Sequence, residues 1–180
     1  MVVRHGETEW SQNGRHSGRT DLPLLRVGRE RAQALGSRLD PDAFARVLCS
    51  PRRRARETCE LAGFGHRIEV AEDLSEWDYG EYEGLTSREI RERRPDWVLW
   101  RDGCPGGEAP ADVAARADRV LERVGEGATI AFAHGHILRV VAARWLGLGV
   151  DGGALLLLSP ATVSELGHEH ATRVVQRWNA

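Results

Sequence analysis

A chain of 180 residues fits one domain, taken as 1–180, and is long enough to bury a substantial core without a disulfide or structural metal. Its 25 basic residues are all arginine and face 27 acidic ones, and the resulting net charge of −2 weighs against general nucleic-acid or membrane-surface binding. Cys49, Cys59 and Cys104 are odd in number and lack metal-ligand spacing, so they read as free thiols of a reducing, cytoplasmic compartment. No apolar run is long enough to cross a membrane, and no signal-peptide pattern precedes Val2.

Val2-Val3 is a short β-branched run that stops on Arg4, His5 and Gly6. A histidine there is held at the carboxyl end of a strand, where open α/β sheets bind ligands, and the glycine permits a tight turn beside it. Starting at Met1 leaves about three residues for this strand where about five are usual, so further residues are expected upstream. The stretch 9–21 is rich in glycine and small polar residues without period, and reads as a loop able to wrap a ligand. Leu24, Val27, Ala32, Leu35 and Leu39 then recur at helical spacings. A helix is predicted over 23–39, weakened at Gly28 and closed by Pro41.

The buried-type strand at 46–50 ends on Ser50 and Pro51, and a helix opening with arginines follows over 52–62. After a third strand at 67–70 comes an acidic, aromatic segment, 72–84, with neither helical nor strand period. Irregular stretches of that length are often functional. Thr86 is placed to cap a helix over 87–94 that Pro95 ends. Trp97, Trp100 and a Gly-Cys-Pro-Gly-Gly turn lead to a helix over 110–125 whose apolar face is Val113, Ala117, Val120, Leu121 and Val124. Thr129 to Ala133 is the clearest buried strand, and it stops on His134-Gly135-His136 before a helix to Leu146. The remainder predicts antiparallel edge strands at 155–158, 162–166 and 172–178. Strands alternating with helices imply a three-layer α/β/α sandwich with a mainly parallel central sheet.

Four strand ends thus carry reactive groups: Arg4 with His5, Ser50 with Arg54, Glu76, and His134 with Arg139. In a parallel sheet they share one edge and can converge on one crevice. Two histidines, two arginines and a carboxylate suit phosphoryl transfer. Arg4 and Arg54 are expected to clamp the phosphoryl oxygens, neutral His5 to attack phosphorus, His134 to donate a hydrogen bond to the transferring group, and Glu76 to move the proton. Fixed arginine and histidine charge makes a metal or other cofactor unnecessary. Asp73, Asp78, Glu81 and Glu83 are expected mostly as solvated surface.

The ordered set Arg-His-Gly-Glu-Thr at 4–8, Ser-Pro-x-x-Arg-Ala at 50–55, Glu76 with Gly80 and Glu83-Gly84, and Ala-His-Gly-His at 133–136 resembles the histidine phosphatase superfamily, which includes the cofactor-dependent phosphoglycerate mutases. The resemblance implies a phosphohistidine at His5, proton donation by Glu76, and a phosphate pocket of Arg4, Arg54 and His134. Within the superfamily the strings Thr8-Glu9-Trp10-Ser11, the run 17–24, Glu76-Trp77-Asp78-Tyr79-Gly80 and Trp100-Arg101-Asp102-Gly103-Cys104 are most similar to sugar-bisphosphate phosphatases of the sedoheptulose-1,7-bisphosphatase type. That similarity implies substrate contacts from His16, Ser17 and Tyr79, with Ser50 and Arg139 near a second phosphate. The expected partner is a small phosphorylated metabolite, and a second copy of the chain is not excluded. Two alternatives stand beside a phosphatase: a phosphoglycerate mutase, against which Ser11 and a short stretch around 95–107 weigh, and a catalytically silent phosphate-sensing module, which has no need of an acid such as Glu76.

Overall fold

The computed structural model describes residues 1–125 and 127–180. Strands β1 (Val2–Arg4), β2 (Arg46–Cys49), β3 (Ile68–Val70) and β4 (Thr129–Ala133) run parallel in the order β3-β2-β4-β1. A hairpin of β5 (Val163–Glu169) and β6 (Thr172–Arg177) extends the sheet antiparallel beyond β1. The helices are α1 (Glu9–Gln12), α2 (Arg26–Gly36), α3 (Arg53–Cys59), α4 (Ser87–Arg93), α5 (Leu99–Asp102), α6 (Pro110–Glu122) and α7 (Gly135–Trp145).

Val2-Val3, Val47 to Cys49 and Ile130 to Ala133 are unbroken apolar runs because both sheet faces are covered there, whereas the edge strand β3 carries Glu69 and leaves Val70 exposed. Strand alternation sends Val2, Leu48, Ala131 and Ala133 into one core with Val113 and Ala117 of α6 and Ile137 and Leu138 of α7. Val3, Val47, Cys49, Ile130 and Phe132 enter the other, against Leu35 of α2 and Ala55 and Cys59 of α3. The expected three layers are therefore present, with α6 and α7 on one face and α2 and α3 on the other.

Gly28 has a packing reason for its place inside α2. A Cβ there would lie 2.5 Å from the Glu7 carbonyl oxygen, and one on Gly6 would lie 2.5 Å from the Gly28 carbonyl oxygen. Paired glycines let α2 pass directly against the segment that leaves β1.

The predicted strand at 155–158 is not formed. Val150–Leu155 is a tight 3-10 turn, with Gly153 packed beneath Trp100, and the chain then runs unpaired towards β5. Side-chain donors take its carbonyls in place of a strand ladder: Arg139 those of Gly153 and Ala154, Trp178 that of Leu157, and Arg4 that of Leu158. Leu155 is 82% and Leu157 71% exposed.

Candidate active site

β1 and β4 pair with Arg4 opposite Ala133, and the ladder continues one step further as the His5 amide donates to the Ala133 carbonyl at 2.9 Å. His5 and His134 consequently leave the sheet side by side, their ring centroids 5.1 Å apart. The Gly6 amide donates to Thr58 Oγ1 at 3.0 Å, and that hydroxyl donates to the Arg54 carbonyl at 2.7 Å, which fastens the end of β1 to α3.

His5 Nδ1 lies 2.7 Å from the Gly6 carbonyl oxygen. A carbonyl only accepts, so Nδ1 carries the proton and Nε2 the lone pair. Burial holds the His5 imidazole well below its usual pKa, and Arg54 and Arg4 push it the same way. A neutral ring with a free, oriented nitrogen is what a nucleophile needs.

The two arginines expected to act as a clamp are differently placed. Arg4 donates from Nη1 to the Leu158 carbonyl at 2.5 Å, while its buried Nε has no partner among the described residues. Arg54 is fully buried. It donates from Nη1 to the Thr20 carbonyl at 2.9 Å, from Nη2 to the Ser17 and Gly18 carbonyls at 2.7 and 3.2 Å, and from Nε to His134 Nδ1 at 3.1 Å. Buried donors must find acceptors, and Arg54 finds them in the protein itself.

Because Arg54 is only a donor, His134 Nδ1 is the acceptor and Nε2 carries the proton, which it directs at Ser50 Oγ, 2.7 Å away. Arg54, His134 and Ser50 thus form one buried chain behind His5. Ser50 Oγ thus receives the Nε2 proton of His134 and braces its ring, while Arg139 lines the cavity in front.

Glu76 reaches the site from the irregular segment after β3. Its Oε1 accepts from the amides of Trp77 and Ile137 at 3.0 and 2.9 Å, and its Oε2 from the amide of His136 at 3.0 Å. The first turn of α7 therefore seats the carboxylate, with help from the positive end of the helix dipole. Oε2 keeps a lone pair for a reacting group. Arg116 of α6 holds the segment from below, donating to the Asp73 and Ser75 carbonyls at 2.8 and 2.7 Å and pairing with Glu108 at 2.7 Å.

Arg4, His5, His16, Ser17, Glu76, Tyr79 and Arg139 line one cavity of about 250 Å³, near the lower end for small-ligand sites. Arg139 is anchored on the Gly153 carbonyl at 2.8 Å and stacks on Trp100 at 4.5 Å. His16 lies against Tyr79, with centroids 4.6 Å apart, and its Nε2 lies 3.3 Å from Ser87 Oγ.

Three contributors escaped the sequence reading. His136 lines the cavity, although the pattern at 133–136 contained it. Glu83 is no solvated acid: it accepts from the Gly18 amide at 3.0 Å and the Thr20 amide at 2.9 Å, and so closes the loop that Arg54 braces from the other side. Its adjacency to Gly84 in the family pattern was the available signal. Arg116 left none, being one arginine among several on the polar side of α6.

The site contains four imidazoles that burial keeps neutral. His5, His134 and His136 lie well below their usual pKa, with burial the largest cause, and His16 falls to about 4 for the same reason. In the unfolded chain each titrates near about 6.5. Below that value the unfolded state binds more protons than the folded one, so stability is complete above about pH 6.5 and declines as pH falls, by up to about 1.4 kcal/mol per pH unit for each imidazole. Urea unfolding at pH 7.5, 6.0 and 5.0 should show midpoints that fall steadily. A flat profile would contradict neutral buried imidazoles.

The sequence profile described as histidine phosphatase superfamily (branch 1) matches residues 1–180. The chain is 42% identical over 183 residues to an acid phosphatase of Mycobacterium tuberculosis, spanning 96% of this chain and 88% of the other. It is 39% identical over 185 residues to sedoheptulose 1,7-bisphosphatase of Saccharomyces cerevisiae, spanning 84% and 68%. The solved structure of a Mycobacterium tuberculosis open reading frame superposes with a TM-score of 0.93 at 40% identity, covering 99% of this chain and 95% of that one.

Proposed function

The chain belongs to the histidine phosphatase superfamily, and from that premise we propose that it hydrolyses small phosphomonoesters, sugar bisphosphates above all, through a phosphohistidine on His5. As a phosphoric monoester hydrolase it needs a nucleophile, a charge for the phosphoryl oxygens and a proton donor. One observation carries the assignment: the Gly6 carbonyl fixes the His5 proton on Nδ1, leaving the Nε2 lone pair in a cavity shared with Arg4 and Glu76.

His5 Nε2 attacks phosphorus, the bond to the ester oxygen breaks, and Glu76 gives its proton to the departing oxygen. Water then attacks the phosphohistidine, Glu76 takes the water's proton, and the phosphorus–nitrogen bond breaks to free inorganic phosphate. Arg4 supplies charge and its unpartnered Nε–H to the phosphoryl oxygens. Arg54 acts from behind, through its charge and through His134. The likeness to a sedoheptulose bisphosphatase supports the sugar class, and Arg139 across the cavity supports a second anionic group on the substrate. The free thiols of Cys49, Cys59 and Cys104 support a cytoplasmic setting.

A panel of sugar monophosphates and bisphosphates, assayed for phosphate release in EDTA, tests this reading. Activity should persist without added metal and be highest on bisphosphates. Arg139→Ala should lower kcat/KM on bisphosphates about tenfold more than on monophosphates, the size of one charge-assisted contact. Equal losses would remove Arg139 from substrate recognition. Phosphoglycerate interconversion faster than phosphate release would replace hydrolysis by the mutase reading.

A further inference from the structure

His136 takes no part in the steps above, yet its ring lies beside the carboxylate that moves the proton and lines the same cavity. Its amide holds Glu76 Oε2 at 3.0 Å, its ring nitrogen Nδ1 lies 2.6 Å from Tyr79 Oη, and its ring edge is packed against Trp100. The side chain is 23% exposed and lines the cavity, whereas Tyr79 is 1% exposed.

The direction of the Tyr79–His136 hydrogen bond decides what the ring presents. Burial, followed by the nearby Glu76 charge, raises the Tyr79 phenol well above its ordinary pKa, so it keeps its proton. Among the described residues that proton has one acceptor, His136 Nδ1. Nδ1 is then the accepting nitrogen and Nε2 carries the ring proton. Burial, His16, Arg139 and Arg4 all lower the His136 pKa, so the ring remains a neutral donor.

We propose that His136 is a specificity residue of this site: Tyr79 fixes its tautomer, and its Nε2–H donates to an oxygen that the leaving alcohol carries close to the ester, either a hydroxyl or a carboxylate. The proposal rests on the phosphatase reading and extends it to the leaving group. The ester oxygen must come within hydrogen-bond reach of Glu76 Oε2 to be protonated. A substituent on the adjacent carbon then lies beside the imidazole, since the ring itself lies against the carboxylate, its Nδ1 3.9 Å from Glu76 Oε2. A fixed donor pairs with a polyol or hydroxy-acid phosphate and finds no partner on an alkyl phosphate, which is the stronger form of discrimination. Tyr79 is a positioning residue, acting through the tautomer.

A matched pair of esters tests this. Glycerol 3-phosphate has a hydroxyl beside the ester carbon, and n-propyl phosphate has none. The wild-type protein should prefer the former, and His136→Phe should reduce the ratio of the two kcat/KM values about tenfold, the weight of one hydrogen bond. His136→Gln, which retains an N–H, should restore part of the ratio. Nitrogen-15 spectra of the wild-type histidines should show His136 protonated at Nε2 alone, and Tyr79→Phe should populate the other tautomer. A wild-type His136 protonated at Nδ1, or a ratio unmoved in His136→Phe while both esters are still hydrolysed, would overturn the proposal and leave the phosphatase reading intact. Absence of release from both esters by a wild type that hydrolyses sugar bisphosphates would overturn this proposal alone, and absence of release from those as well would overturn both.

Discussion

In His5→Ala, phosphate release from p-nitrophenyl phosphate falls by about 10⁴-fold or more, the scale seen when a covalent nucleophile is removed. The expectation comes from the way His5 is held. Its position is fixed by the amide ladder to Ala133, its tautomer by the Gly6 carbonyl, and its neutrality by burial beside Arg54 and Arg4. Alanine abolishes the lone pair and keeps the neighbours, so the phosphate-binding charge survives while turnover does not. Two measurements separate loss of chemistry from loss of fold. Acid-quenched protein incubated with radiolabelled substrate should retain phosphate in the wild type and none in His5→Ala. The variant should still melt cooperatively, because a buried neutral imidazole has been removed without leaving a charge. Substantial turnover by a folded His5→Ala protein would end the assignment of His5 as nucleophile.

The strand ends were legible because parallel sheets announce themselves locally. Val2-Val3 and Thr129 to Ala133 are apolar on both faces, and each stops on a histidine. Convergence of Arg4, His5, Glu76 and Arg139 on one cavity then followed from topology, and the structure brings these four together. What could not be read was how each donor is used. The segment 155–158 is apolar and β-compatible, but a strand needs a free partner, and its Leu157 and Leu158 carbonyls are claimed by the Trp178 and Arg4 side chains. Glu83 looked like surface because its partners, the Gly18 and Thr20 amides, are more than sixty residues away and become donors only when that loop closes. The tautomer of His136 depends in the same way on Tyr79, which arrives from the segment after β3. Short-range pattern reveals which residues are present at the site; the assignment of each hydrogen depends on the whole fold.

The two arginines provide the sharpest test of that distinction, since motif and charge alone make them equivalent. Arg54→Lys keeps the positive charge but replaces a planar fork of donors with a single ammonium group. An ammonium cannot reach the Ser17, Gly18 and Thr20 carbonyls and His134 Nδ1 together, so some of these buried acceptors lose their partner. Each acceptor left unsatisfied costs about 1–3 kcal/mol, and with partial relaxation the variant should lose about 3 kcal/mol of stability. For a chain of this size that corresponds to a fall in Tm of about 10 °C. His134 also loses the donor that sets its tautomer, and the loop carrying His16 and Ser17 loses its brace. kcat should therefore fall about 10²-fold, with KM changing less, because the defect lies in alignment more than in contact with substrate. Arg4→Lys should show the opposite balance: Arg4 lines the cavity and makes one carbonyl contact, so activity falls with little change in Tm. Scanning calorimetry in phosphate-free buffer decides the matter. If Arg54 were only a clamp on bound phosphate, Arg54→Lys would melt with the wild type under those conditions; a brace between loop and histidine requires that it melt early.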